Sequence, residues 1–367
     1  MPRPPCPLAR LADVTPWDPA DFRERVQLVL DAFIDEQAST LTPLGPDAGR
    51  LVAEARTAVG GGKRFRAAFC HWGYRAIHPD VVDRAALARA CAALEMLHAS
   101  ALVHDDFMDA SDTRRGRPAT HRAFEAEHLA AGWRGDPVQY GAAAAILLGD
   151  LLLGWAEDML RHCGFAPADV AAGLALFEQC RTEVIAGQFL DVSVQARGRA
   201  DVETAMTVLR FKSAKYSIER PLHIGAALAG ATADQIVQLS RFGLPLGEAF
   251  QLRDDLLGVF GDPGTTGKPA GDDLVEGKRT VLVALALDAA PQADAQRLDA
   301  ALGTPLGEAD VDDLRAIIDR SGAREQVEAV ISELADRAVA SLQSADVDAD
   351  ARGVLTELAA AATQRSV

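Results

Sequence analysis

An all-α fold is predicted by three features of the chain. Only 5% of its residues are aromatic while 49% are apolar, with alanine and leucine abundant. These are helix formers, whereas strands draw on aromatic and β-branched residues. Apolar positions recur at helical spacing along most of the length. Neither an alternating strand pattern of useful length nor a solenoid-like repeat interrupts them.

The predicted elements follow in order. Residues 1–20 carry six prolines and no apolar core of a signal peptide, so they are expected to be disordered. Asp21 opens an amphipathic stretch through Phe22, Val26, Leu30, Phe33 and Ile34. Helical patterns then recur at 47–59, 64–77, 80–106, 139–162, 167–196, 202–230, 232–257 and 279–289, and shorter ones near 310–320, 323–343 and 348–362. Pro221 is expected to kink or break one of them. Irregular segments near 110–119 and 258–278 each follow an acidic cluster, the arrangement of functional loops carried on rigid helices. No linker divides residues 21–367, which read as one helical domain.

Charge and cysteine content narrow the function. A net charge of −16 disfavours nucleic acid as a partner. Cys6, Cys70, Cys91, Cys163 and Cys180 are odd in number and lack metal-ligand spacing, which fits a reduced, cytoplasmic chain. The longest apolar run, Ala142 to Leu148, is cut by Gly149-Asp150 and is too short for a transmembrane segment.

Two acidic clusters carry the chemistry. In His104-Asp105-Asp106-Phe107-Met108-Asp109, Asp105 and Asp109 share a helix face. With 53 acidic residues in 367, chance alone gives about one acid-acid-x-x-acid match, so the neighbourhood must discriminate. The aspartates end an apolar helix, and Thr113-Arg114-Arg115-Gly116-Arg117 follows. The second cluster, Gln251-Leu252-Arg253-Asp254-Asp255, is followed by Gly267-Lys268 and Gly277-Lys278-Arg279-Thr280. A third segment, Gly60-Gly61-Gly62-Lys63-Arg64-Phe65-Arg66, puts cations where a helix begins. It lacks the spacing of a Walker P-loop. Carboxylates facing cations suit a diphosphate held through Mg²⁺, which is usually bound by one or two carboxylates plus phosphate oxygens.

Together these motifs resemble the trans-isoprenyl diphosphate synthases, the polyprenyl synthetase family, from about residue 28 to 360. Lys212-Ser213-Ala214 and Gly187-Gln188-Phe189-Leu190-Asp191 are similar to further family signatures. The resemblance implies a single large helical bundle around a central cavity, three Mg²⁺ ions on an allylic diphosphate, and a homodimer. It implies that Asp105, Asp109 and Asp254 are the principal metal ligands, assisted by Asp106 and Asp255. Arg114, Lys212, Lys268 and Lys278 would bind the allylic diphosphate, with Ser213 beside them. Lys63, Arg66, His98 and Arg115 would bind isopentenyl diphosphate, with Gln251 nearby. One position departs from the family pattern: Gly258 stands where a third aspartate often completes the second motif.

Product length is expected to follow from side-chain size below Asp105. Ser100 and Ala101 lie one turn before it and Leu97 two turns before. The family tends to stop at shorter products when the Ser100 position is a bulky aromatic, so a C20 product, geranylgeranyl diphosphate, is expected, with C15 or longer products as alternatives. Three rival readings fit the residues less well. A terpene cyclase would need an Asn/Asp-Asp-x-x-Ser-x-x-x-Glu cluster near Asp254, which is missing. A di-iron bundle would use Glu95/His98 and Glu125/His128, without two further inward glutamates. A non-catalytic subunit of a heteromeric synthase sits poorly with intact Asp105, Asp109, Lys63 and Arg66.

Overall fold

Asp18 starts the first helix: its carboxylate accepts from the backbone N–H of Ala20 at 2.8 Å, and Pro19 supplies the preset φ of a first helical turn. The computed structural model describes residues 17–198, 201–261 and 271–364. Most of the expected disordered segment thus lies outside the described residues. Just before α1, Trp17 packs in a cluster with Phe22 and Trp72 at ring separations of 5.0 and 5.3 Å.

The fold is all-α. Helices α1 (Pro19–Leu41), α2 (Pro46–Val59), α3 (Phe65–Ile77) and α4 (Arg84–Met108) lead into a two-stranded hairpin, β1 (Thr113–Arg114) and β2 (Arg117–Pro118). Then come α5 (Thr120–Ala131), α6 (Pro137–Arg161), α7 (Pro167–Arg197) and α8 (Val202–Val208). A π-helical stretch, Leu209–Glu219, joins α8 to α9 (Arg220–Leu228). Next are α10 (Ala233–Phe260), α11 (Asp272–Val275), α12 (Val281–Ala289), α13 (Gln292–Ala301), α14 (Glu308–Arg320), α15 (Ala323–Gln343) and α16 (Ala349–Thr363). Pro221 does not end the expected 202–230 helix. It lies in the first turn of α9, directly after eleven residues of wider π-turns. A proline removes one backbone donor and crowds the carbonyl four residues back, and the wide turns precede that point.

Two apolar clusters fill the interior. One gathers Leu30, Phe69, Leu94, Leu148 and Phe177; the other gathers Leu256, Leu282, Leu314 and Ile331. Helix α10 runs through both, giving Phe242 and Leu246 to the first and Leu252 and Leu256 to the second. The first aspartate cluster ends α4 in one cluster, and the second lies on α10 in the other. The cavity opens between them.

Helices α4 and α6 are long and apolar enough to cross a membrane by length and composition. The most apolar window of α4 is 72% buried in the core, but that of α6 only 39%. Ile146 and Leu147 on α6, and Ile185 and Phe189 on α7, are exposed.

Behind the π-stretch, Arg220 donates to His223 Nδ1 at 3.1 Å, which leaves Nε2 as the donor to Ser240 Oγ at 2.9 Å. Burial, then the Arg220 charge, pushes the His223 imidazole down to about 3. Its stabilising effect is therefore complete above the ordinary value near 6.5 and is lost as pH falls toward 3, at about 1.4 kcal/mol per pH unit. Unfolding by urea between pH 7 and 4 should show that loss, and His223→Gln should flatten the slope while lowering stability at pH 7.

Candidate active site

Segments from along most of the chain converge on a cavity of about 1010 Å³. The end of α4 brings Asp105, the glycine-rich loop and start of α3 bring Lys63 and Arg66, and the hairpin brings Arg114 and Arg115. The π-stretch brings Lys212, Ser213 and Tyr216, and α10 brings Gln251, Asp254 and Asp255. Lys278 enters just after α11, and His98 and Ala101 line the wall from α4. Lys268 lies outside the described residues.

Asp105 is the hub of the first cluster. Gln188 donates to its Oδ1 at 3.0 Å, and Lys212 Nζ lies 3.2 Å from the same oxygen. Lys212 also donates to buried Asp191 at 2.5 Å. Burial alone would raise the Asp105 carboxyl, but the Lys212 and Lys278 ammoniums and the Arg114 guanidinium hold it below the usual carboxylate range. Against the penalty of burial, Asp105 and Asp191 keep Lys212 charged well above its ordinary value.

The other two aspartates of that cluster behave differently from Asp105. Asp106 is buried off the cavity wall, and Arg114 donates to its Oδ1 from Nε at 2.8 Å and from a terminal nitrogen. The contact fixes the direction of the Arg114 guanidinium. Asp109 lies under Lys278, whose Nζ is 3.7 Å away, and neither of its oxygens accepts a hydrogen bond. Burial, then the charge of Asp105, raises Asp109 to about 6. On α10, Gln251 donates to Asp255 Oδ1 at 2.8 Å and accepts from Ser213. Burial, then Asp273, pushes Asp255 up to about 8.

The basic side is built by turns that only certain residues tolerate. Arg115 and Gly116 both have positive φ, +54° and +73°, as a two-residue hairpin turn of this hand requires. That turn throws the Arg115 guanidinium onto the glycine-rich loop, where it donates to the Gly60 carbonyl. Gly62 has φ +92°, and a Cβ there would stand 3.0 Å from Arg115. Arg64, by contrast, is structural: it is buried, with bonds of 3.1 Å to Glu95, 2.6 Å to Gln27 and 2.6 Å to the Val59 carbonyl.

Tyr216, Asp191, Gln188 and Ser217 were not expected as individual site residues. Tyr216 OH is 2.9 Å from His98 Nδ1, and its ring carries the Arg66 guanidinium at 4.2 Å. Arg66 also donates to Ser217 Oγ at 2.7 Å. Burial, then Arg66 and Arg115, hold His98 neutral, well below its ordinary value. Glycines on two neighbours let the π-stretch approach: a Cβ on Gly187 would meet Lys212 N at 2.4 Å, and one on Gly247 would meet the Ala214 carbonyl at 2.4 Å. The Gly187–Asp191 signature held a partial signal for Gln188 and Asp191. Tyr216 gave none beyond its place after Lys212-Ser213.

The residues expected to set product length separate. Ala101 lines the cavity. Ser100 faces α6 and donates to the Gly149 carbonyl at 2.7 Å, and Leu97 is buried in the core off the cavity wall. The smallness of Ser100 is thus set by the α4–α6 seam. Glu95, the first residue of a suggested iron pair, is taken by Arg64 and the Ala67 N–H.

The donor set suits Mg²⁺: hard carboxylate oxygens, with lysine ammoniums drawn among them as if standing in for cations. Among the described residues no three acidic, imidazole or thiol groups form an all-protein cage.

A helical cavity with carboxylates on two facing helices, and separate cation sets beside them, defines a protein that holds diphosphate esters. Residues 50–320 match the polyprenyl synthetase family, and the chain belongs to that family of prenyltransferases. It is similar to a geranylgeranyl pyrophosphate synthase from Corynebacterium glutamicum solved with isoprenyl diphosphate and magnesium: 42% identity, TM-score 0.93, 95% of this chain and 100% of that one. It is 31% identical to a short chain isoprenyl diphosphate synthase of Methanothermobacter thermautotrophicus over 92% of this chain and 96% of that one. A geranylgeranyl diphosphate synthase of Mycobacterium tuberculosis is 33% identical over 86% of this chain and 85% of its own length.

Arg114→Ala should remove the two guanidinium donors from the buried Asp106 carboxylate and cost about 1.5–3 kcal/mol of stability. Urea unfolding checks this, and Arg114→Lys should rescue only part, because one ammonium cannot reproduce both donors.

Proposed function

We propose that this protein condenses isopentenyl diphosphate with an allylic diphosphate to give an all-trans prenyl diphosphate, principally C20 geranylgeranyl diphosphate. The observation that carries the reading is the pair of separate cation sets around one cavity. Arg114, Lys212 and Lys278 make ion pairs with aspartates of the first cluster, while Lys63, Arg66, Arg115 and His98 line the same cavity. A single-substrate cyclase would not need the second set.

The chain's residues divide the work. Asp105 and Asp254, with Asp109 and Asp255, would hold the magnesium ions, three by family resemblance. Bound magnesium supplies positive charge to the departing diphosphate. Lys212, Lys278 and Arg114 add fixed positive charge as the allylic C–O bond breaks and its electron pair leaves with oxygen. Arg66, supported by Tyr216 and Ser217, and Lys63 and Arg115 orient isopentenyl diphosphate so that its double bond attacks the allylic carbon. The departed diphosphate is the base at hand for the proton lost afterwards. Apolar Ala101, Leu102, Phe250 and Leu209 line the cavity and exclude water from the carbocation.

We also assign a homodimer, whose second copy covers the exposed apolar residues Ile146 and Leu147 of α6. Cys70, Cys91, Cys163 and Cys180 are buried free thiols, which supports a cytoplasmic protein.

Purified protein given Mg²⁺, isopentenyl diphosphate and each allylic starter should yield a C20 product by mass spectrometry. EDTA should abolish it, and Asp105→Ala should lower the rate at least about a hundredfold. Ala101→Phe should shift the product toward C15, because Ala101 is the small residue on the cavity wall. An unchanged product would remove that steric account.

A further inference from the structure

Tyr216 touches two cavity residues at once. Its hydroxyl is 2.9 Å from His98 Nδ1, and its ring lies under the Arg66 guanidinium at 4.2 Å. The three side chains come from the π-stretch, α4 and α3, and all line the cavity. Arg66 Nε is buried and has no hydrogen-bond partner among the described residues. The Tyr216 ring face and Ser217 Oγ are therefore what orient this guanidinium.

The hydroxyl contact decides which nitrogen of His98 carries its hydrogen. A neutral imidazole has one N–H donor and one acceptor nitrogen, and the bond made by one nitrogen fixes the state of the other. The Tyr216 side chain is buried, and among the described residues its hydroxyl pairs only with His98. If Nδ1 carried the hydrogen, it would donate to the phenol oxygen. The buried phenol O–H would then have no acceptor, and buried donors are seldom left so. The phenol therefore donates to Nδ1, and the hydrogen of the ring sits on Nε2. Among the described residues Nε2 has no hydrogen-bond partner, although His98 lines the cavity. Burial, then the charges of Arg66, Arg115, Arg114 and Arg64, oppose a second proton on the ring. His98 thus offers the cavity a single N–H in the company of guanidiniums.

We infer that Tyr216 is a positioning residue for the isopentenyl diphosphate subsite: it fixes His98 in the tautomer whose Nε2–H donates to a diphosphate oxygen, while its ring holds Arg66 alongside. The inference rests on the synthase reading proposed above. It makes His98 a neutral hydrogen-bond donor to the substrate, beside the cations Lys63, Arg66 and Arg115.

The test has a spectroscopic and a kinetic arm. Long-range proton–nitrogen correlation spectra of the full chain, labelled at histidine, read the tautomer directly, with His98 assigned by His98→Gln. The unsubstituted protein should show the Nε2–H form, and Tyr216→Phe should admit the Nδ1–H form as well. In steady-state assays Tyr216→Phe should raise KM for isopentenyl diphosphate by about threefold to tenfold. Its kcat and its KM for the allylic diphosphate should move much less. This variant keeps the ring under Arg66, and its thermal unfolding is recorded to show that it folds. In a His98→Ala background the same change should add almost nothing, because the hydroxyl acts through the imidazole. An Nδ1–H tautomer in the unsubstituted protein would overturn the inference. So would an unchanged KM in Tyr216→Phe, or an undiminished effect of that change in the His98→Ala background. An unsubstituted protein that shows the Nε2–H form but condenses no isopentenyl diphosphate would instead overturn the synthase reading, and with it the ligand assigned to His98.

Discussion

Charge balance across the cavity is the constraint on which the rest of the structure depends. Asp105, Asp109, Asp254, Asp255 and Asp273 are brought together from three helices, and like charges so crowded oppose folding unless cations answer them. Lys212 and Lys278 do so, each held in its charged form by several carboxylates despite its burial. The protein is thus folded around positive charge before any substrate arrives. Substrate and metal would exchange with contacts that already exist, so the groups are oriented in advance of the chemistry.

The scaffold serves that balance through close approach. The π-stretch that carries Lys212 and Tyr216 is gripped by glycines on α7 and α10, and α10 ties the two apolar clusters together. Asp106 and Arg64 show the same economy in another form. Each has the residue type of a ligand and sits within a ligand motif, yet each is buried and holds a neighbour: Asp106 aims Arg114, and Arg64 locks the glycine-rich loop to Glu95.

Much of this was legible in the sequence. Helical spacing located nearly all the long helices, and the paired motifs pointed to the residues around the cavity. What was hidden had physical reasons. Period alone cannot tell that Asp106 turns inward while Asp105 faces the cavity, because the difference comes from Arg114 folding back across a hairpin. Ser100 and Ala101 are adjacent and both small, but one meets the Gly149 carbonyl and the other the cavity. Pro221 signalled an irregularity correctly, but it lies just after the wide turns instead of ending a helix.

Those wide turns set the angular phase of everything beyond them. Each π-turn spends one more residue per hydrogen-bonded loop than an α-turn, so α8 and α9 form one continuous rod whose side-chain frames are offset. Lys212, Ser213 and Tyr216 fall within the offset and line the cavity. A single-residue deletion between 209 and 219 would restore the common frame and leave the rod looking sound. It would also rotate one end relative to the other, taking the lysine away from Asp105 or the Pro221 turn away from α3. The length of this segment is therefore as constrained as its composition.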